Sequence, residues 1–157
     1  MSHENTPLNA VLEIDLVDKG ELGHIYPHTV VYHVGRYSYL LAEDERGDYL
    51  IKPIFSNGTL GPDIVNKKFR HYYDVIQAAY DDLTATTYIC AVSLAGKSME
   101  IFTTTNGGLQ SKVRFNYQID DRKTFNFFFI EGNLYFYESG EDANGKYTVK
   151  SIRVTVE

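Results

Sequence analysis

The chain has 157 residues, enough for one domain with a real core, and its 43% hydrophobic and 23% charged content is that of a globular protein. Its net charge of −6 argues against nonspecific nucleic-acid binding and against docking on anionic lipid, both of which draw on lysine and arginine. Thirteen tyrosines and nine phenylalanines stand beside no tryptophan, an enrichment that favours half-buried pleated sheet.

Residues 1–9 are polar and lack the basic and apolar regions of a signal peptide, so the expected location is cytoplasmic, or secreted without a classical signal. From Asn9 to Asp18 apolar residues alternate (Leu12, Ile14, Leu16), and this stretch reads as a strand that completes a sheet. In a four-strand repeat that runs along the chain, Asn9 to Asp18 aligns with a third strand and Leu22 to Tyr26 with a fourth. Two aromatic hairpins follow the same grammar: 29–34 and 37–43 around Gly35-Arg36, then 124–130 and 133–139 around Glu131-Gly132. Asp44 to Asp48, Ala95-Gly96-Lys97 and Glu141 to Lys146 are turns, and so is Asn106-Gly107-Gly108. Tyr73 to Leu83 is the best helical candidate, but its place in the repeat makes it a strand. No run approaches the ~18 apolar residues of a membrane helix. Cys90 lies in the apolar run Tyr88 to Val92 and reads as a buried structural thiol.

A short phrase returns along the chain as Gly20-Glu21-Leu22-Gly23, Gly58-Thr59-Leu60-Gly61 and Gly107-Gly108-Leu109-Gln110. Tyr39, Tyr88 and Tyr135 are spaced by 49 and 47 residues, and Gly47, Gly96 and Gly145 by 49 and 49. Superposing the copies gives a four-strand unit. Strand one is 29–34, 74–80 or 124–130, and strand two is 37–43, 86–93 or 133–139. Strand three is 48–55, 97–104 or 146–156, and strand four lies near 62–69 and 110–118. A period of ~48 residues and four strands matches β-propeller blades.

The expected architecture is therefore all-β, a single repeat domain over 1–157 with about three propeller-type blades. N-terminal strands occupy 9–26, blade one 29–70, blade two 73–118, and a partial third blade 124–156. Three blades do not close a ring of the usual ~4–8. Pairing two chains gives six, with the N-terminal segment of one chain completing the last blade of its partner, so a homodimer is expected. The alternative is a single β-barrel or sandwich.

The repeat resembles those of tachylectin-like and related bacterial propeller lectins. The matching residues are Tyr39-Leu40-Leu41, Gly47, Ile51 to Ile54 and Asn57 to Gly61, with 88–109 matching more loosely. The resemblance implies carbohydrate binding at repeated grooves between blades. Those lectins carry tryptophans in their repeats, so here tyrosine would have to supply the apolar platform.

The candidate ligand-binding residues are Tyr26, Tyr72 and Tyr117, set at roughly equivalent points of the repeat, with His28, Arg70, Asp74, Asp120 and Arg122 nearby. An aromatic face supplies contact area, while a carboxylate or guanidinium orients hydroxyl groups. No catalytic signature is present. The spacing of His24, His28 and His33 fits no zinc pattern. The carboxylates Asp74, Asp81-Asp82 and Asp120-Asp121 read as solvated turns. The expected function is noncatalytic ligand binding, of a glycan or small molecule, with no cofactor, metal, nucleic acid or membrane. Two other readings stay open. One is a small isomerase, cyclase or hydrolase whose aromatic-lined cavity uses His33 and a carboxylate. The other is a protein-interaction module.

Overall fold

The structure, a computed structural model, describes residues 10–117, 124–140 and 144–153. The aromatic and β-branched runs form strands, and each sheet is a meander in which every strand pairs antiparallel with its neighbour in sequence. Sheet 1 is β1 (His28–Val34), β2 (Tyr37–Glu43), β3 (Asp48–Ile54) and β4 (Val65–Lys68). Sheet 2 is β5 (Val75–Asp81), β6 (Thr86–Ser93), β7 (Ser98–Thr105) and β8 (Gly108–Asn116). Sheet 3 has three strands, β9 (Thr124–Ile130), β10 (Asn133–Ser139) and β11 (Tyr147–Ile152). Among the described residues there is no helix, and so none long and apolar enough to cross a membrane.

Turn chemistry fixes the registers. Asn106 and Gly107 both take positive φ between β7 and β8, and Glu131 and Gly132 do so between β9 and β10. Two successive positive φ values define the tight hairpin whose twist matches that of the strands it joins. Asp44 and Asp81 close two other turns with their side chains. Asp44 Oδ1 accepts the N–H groups of Arg46 and Asp48, and Asp81 Oδ1 accepts that of Leu83. Both aspartates are buried. For Asp81 this corrects the expectation of a solvated carboxylate, because a turn carboxylate that caps backbone N–H groups is drawn in with them.

The sheets stack face to face through two apolar layers. Tyr32, Tyr39, Leu41, Tyr49 and Ile51 of sheet 1 meet Ile89, Ala91 and Phe102 of sheet 2, with Phe69 and Tyr73 between them. The opposite face of sheet 2 (Cys90, Val92, Met99, Ile101) meets Phe125, Phe127, Leu134 and Phe136 of sheet 3. Strand alternation makes this possible: successive residues of β6 point to opposite neighbours, so sheet 2 is apolar on both faces. Cys90 is completely buried there, and burial pushes its thiol up. Polar ties run between the sheets as well. The Tyr32 hydroxyl donates to the Gly107 carbonyl at 2.7 Å and the Thr87 hydroxyl to that of His33. The Gln77 amide donates to Phe125 O at 2.6 Å and accepts from Phe127 N at 2.9 Å, joining β5 to β9.

Among the described residues each sheet ends in unpaired edges and none closes on itself, so the barrel alternative does not hold. Three stacked layers also differ from the two of a sandwich. Residues 10–26, expected as strands, form no ladder with the other described residues. The expected strand ends at 118 and at 154–156, and residues 141–143 of the turn, lie outside the described residues.

Gly107 has φ +85°, and a Cβ there would stand 2.5 Å from the Tyr39 ring. Gly107→Ala should therefore cost about 2 kcal/mol and lower Tm by about 5 °C, from backbone strain together with overpacking. A melting curve unchanged from wild type would show that Tyr39 yields freely.

Candidate functional site

The connector of residues 69–74 between β4 and β5 carries five consecutive chemistry-bearing side chains, Arg70 to Asp74, and the start of β1 and the end of β2 lie against it. His28 Nε2 and the Tyr72 hydroxyl are 2.7 Å apart, with ring centroids 5.5 Å apart. Burial holds the His28 imidazole below its ordinary range, against the pull of Asp74. The lowered imidazole favours its neutral form, which shares one proton with the Tyr72 hydroxyl across this bond, its direction set by the ring tautomer. Burial, then Glu43, Asp74 and Glu45, keep Tyr72 above its ordinary range and so a phenol. Asp74 is held by the β6 end of sheet 2: its N–H donates to Val92 O at 2.8 Å, and its Oδ2 accepts Leu94 N at 2.7 Å. A carboxylate has further acceptor positions beyond one such bond. The result is a half-buried aromatic pair flanked by a fixed carboxylate at the junction of sheets 1 and 2.

Behind this cluster sits Glu43, completely buried. Its Oε2 accepts Tyr73 N at 2.8 Å, and its Oε1 has no hydrogen-bond partner. Burial, with Asp74 and Asp44 adding like charge, pushes its carboxyl up to about 8, so it is a neutral acid at pH 7. Tyr73 is itself completely buried, and its hydroxyl donates to Glu100, which also accepts the Ser111 hydroxyl at 2.6 Å.

Of the expected residues, His28, Tyr72 and Asp74 come together. Tyr26 lies on the other side of the β2–β3 turn, where burial and then Asp44, Asp63 and Asp48 hold its phenol up. Beside it, His24, Ile25 and Pro27 face Asp44, Glu45 and Arg46 across a cleft of about 480 Å³. Arg70 is exposed and reaches the cluster only through its charge on Tyr73. Asp120 and Arg122 lie outside the described residues. Tyr117 belongs to the other junction, between sheets 2 and 3. Its hydroxyl donates to buried Glu138 at 2.7 Å and accepts from Lys150 Nζ at 2.7 Å, and Lys150 lies 2.9 Å from Glu138. Val113, Phe115, Phe136 and Ile152 line an apolar cleft of about 320 Å³ beside this group.

The ladders also correct the equivalence of the three tyrosines. Asp48 pairs with Lys68, and Ser98 with Asn116, so the residues that follow, Phe69 and Tyr117, are counterparts. Each donates its N–H to the residue just before the third strand, Gly47 or Lys97. His28 pairs with Glu43 and Val75 with Val92, each Glu43 or Val92 being four residues after Tyr39 or Tyr88, so Tyr26 corresponds to Tyr73. Tyr72 therefore has no aromatic counterpart in the repeat.

Glu43, Glu100 and Glu138 were legible only through strand alternation. Glu43 falls on the same face as Tyr39 and Leu41, and Glu138 on that of Leu134 and Phe136. Among the described residues, no three of His, Cys, Asp and Glu converge as a metal site. No protein-family model matches the sequence, and no curated protein matches it significantly.

Proposed function

We propose that this protein is a noncatalytic binding protein built of propeller-type blades, and that it takes a polyhydroxylated ligand, a glycan or similar small molecule, at the junction of its first two sheets. The stacking of four-stranded meanders, with their first strands side by side, supports the blade reading. The observation that carries the binding site is the pairing of His28 with Tyr72 beside a carboxylate whose orientation is set by the backbone of Leu94. The half-buried rings offer apolar area to the CH face of a sugar, and Asp74 offers acceptors to its hydroxyls. The groups are held before any ligand arrives, which lowers the ordering cost of binding. Repetition of such a site in an assembly would raise avidity without new contacts.

A glycan and metabolite screen followed by titration of the best ligand tests this. Tyr72→Ala and Asp74→Ala should each weaken binding by about 10-fold or more, with far-UV circular dichroism unchanged. A screen without binding, or a Tyr72→Ala variant that binds as wild type does, removes the reading and leaves the interaction-module alternative.

A further inference from the structure

The repeat assigns each sheet a face toward the next sheet in order. Tyr39, Tyr88 and Tyr135 are each the third residue of the second strand. Two residues on, Leu41, Cys90 and Tyr137 pair across the third strand with Ile51, Ile101 and Val149. Beyond them, Glu43, Val92 and Ser139 pair with Tyr49, Met99 and Tyr147. In sheet 1 these positions are buried against sheet 2, and in sheet 2 against sheet 3. In sheet 3 the same positions hold Tyr135, Tyr137, Tyr147 and Val149. Tyr147 is 64% and Val149 51% exposed, and the Tyr147 ring stacks on half-buried Tyr137. The complementary face is open in part: Ala42 and Leu50 on it are buried, but its β1 side is not. Sheets 2 and 3 receive their predecessor on the face of Ile89 and Phe136, and the corresponding face of sheet 1 carries Leu40 with Val31 beside it, 60% exposed.

The edges show the same incompleteness. Sheets 1 and 2 have a fourth strand, whereas among the described residues nothing pairs with the outer edge of β11. Residues 11–17 alternate apolar side chains and leave them in solvent, with Leu12 and Ile14 84% and Leu16 76% exposed. Their position is not arbitrary. A methyl of Val65, on the fourth strand of sheet 1, lies 3.9 Å from where a Cβ of Gly108, in the β7–β8 hairpin of sheet 2, would stand. In the same way Val17 lies against Gly58, in the β3–β4 loop of sheet 1, and Asp18 accepts Leu60 N at 2.9 Å. Counting back from the first strand gives the same answer. Val65 precedes Val75 by as many residues as Asp18 precedes His28, and Val75 and His28 are register counterparts. Residues 12–20, rather than a third strand ending at Asp18 and a fourth at 22–26, occupy the fourth-strand position of a sheet that would precede sheet 1.

We infer that a second copy of this chain closes the structure. Sheet 3 of one protomer stacks by Tyr135, Tyr137, Tyr147 and Val149 on the Val31 and Leu40 face of its partner's sheet 1. Residues 12–20 of the partner pair with β11. A two-fold axis repeats both contacts, so every exposed apolar face and free third-strand edge finds its complement and six sheets form a closed ring. The inference rests on reading the sheets as blades, but not on the ligand site.

The test uses the full chain. Light scattering should give twice the 17.9 kDa chain mass. By the same count Val17 or Asp18 lies opposite Val149, so Val17→Cys chains mixed with Val149→Cys chains and treated with a short bismaleimide should give a covalent two-chain band. Either variant alone should give little of it, and buried Cys90 should not react. Val149→Asp and Leu16→Asp should each weaken dimerisation at least 100-fold while the strand signal in circular dichroism persists. A 17.9 kDa species at all concentrations overturns the inference. So does a higher assembly, or a dimer that survives both aspartate variants and gives no mixed crosslink. The ligand titration of Tyr72→Ala is read separately, so either proposal can fail without the other.

Discussion

Tyr73→Ala should bring the protein close to unfolding at 25 °C. The ring is completely buried between sheets 1 and 2, edge-on to Phe69 at 5.1 Å and Phe102 at 6.4 Å. Removing a buried aromatic ring costs about 3–5 kcal/mol. Losing the hydroxyl also deprives the buried Glu100 carboxylate of a donor, which adds about 1–3 kcal/mol. The sum is comparable with the whole stability of a typical domain, about 5–15 kcal/mol. Tyr73→Phe separates the two contributions: it keeps the ring and should cost only the second. Urea denaturation of both variants checks this. A Tyr73→Ala variant within about 1 kcal/mol of wild type would mean that the two sheets do not depend on the ring.

Glu43→Gln should stabilise the protein, and increasingly so as pH rises. The carboxyl titrates near 4.5 when unfolded and at about 8 when folded, so between these values the folded state holds the extra proton. Its favourable contribution is complete below pH 4.5, declines as pH rises toward 8, and levels off above. A tenfold difference in proton affinity between the two states is worth about 1.4 kcal/mol, so ionisation in the folded protein is opposed by a few kcal/mol. Glutamine reproduces the neutral acid: its carbonyl keeps the bond from Tyr73 N and it carries no charge. The stability difference between variant and wild type should grow from near zero at pH 5 to about 2–4 kcal/mol at pH 8.5. A difference that stays flat over this range would mean that Glu43 is ionised throughout.

Strands are readable where the code is local. Phe125 to Ile130 and Leu134 to Tyr137 are dense in aromatics and broken by a glycine turn, and they form the hairpin that such a pattern specifies. The face each strand shows its neighbour follows from alternation once the sheets are aligned. Equivalence between repeats is less secure. The β3–β4 connection contains an isolated bridge from Ile54 to Leu60 and ends in a strand of four residues, where β8 has nine. Counting by position therefore sets Tyr72 opposite Tyr117, where the ladder sets Phe69. Buried Glu43, Asp44 and Asp81 are hidden for a different reason. A charged residue at a strand end reads as solvated, and only the stacking of a neighbouring sheet or the closing of a turn takes it out of water. His28 is legible as a polar group near Tyr72, but its bond to that hydroxyl spans 44 positions and depends on how two sheets dock.

The meander order of the sheets also bears on how the chain is made. Every ladder joins strands adjacent in sequence, and all the backbone pairing of sheet 1 closes between His28 and Lys68. Short-range pairing of this kind carries a small loop-closure cost and favours rapid folding. On a ribosome, sheet 1 can complete its hydrogen bonds while sheet 2 is still being synthesised, as N-terminal units generally do. Its Tyr39 and Tyr49 face must then wait, uncovered, until Ile89 and Phe102 emerge. The vulnerable interval in the life of the nascent chain is therefore set by the length of β5 to β7, and slow translation across residues 75–105 would lengthen it.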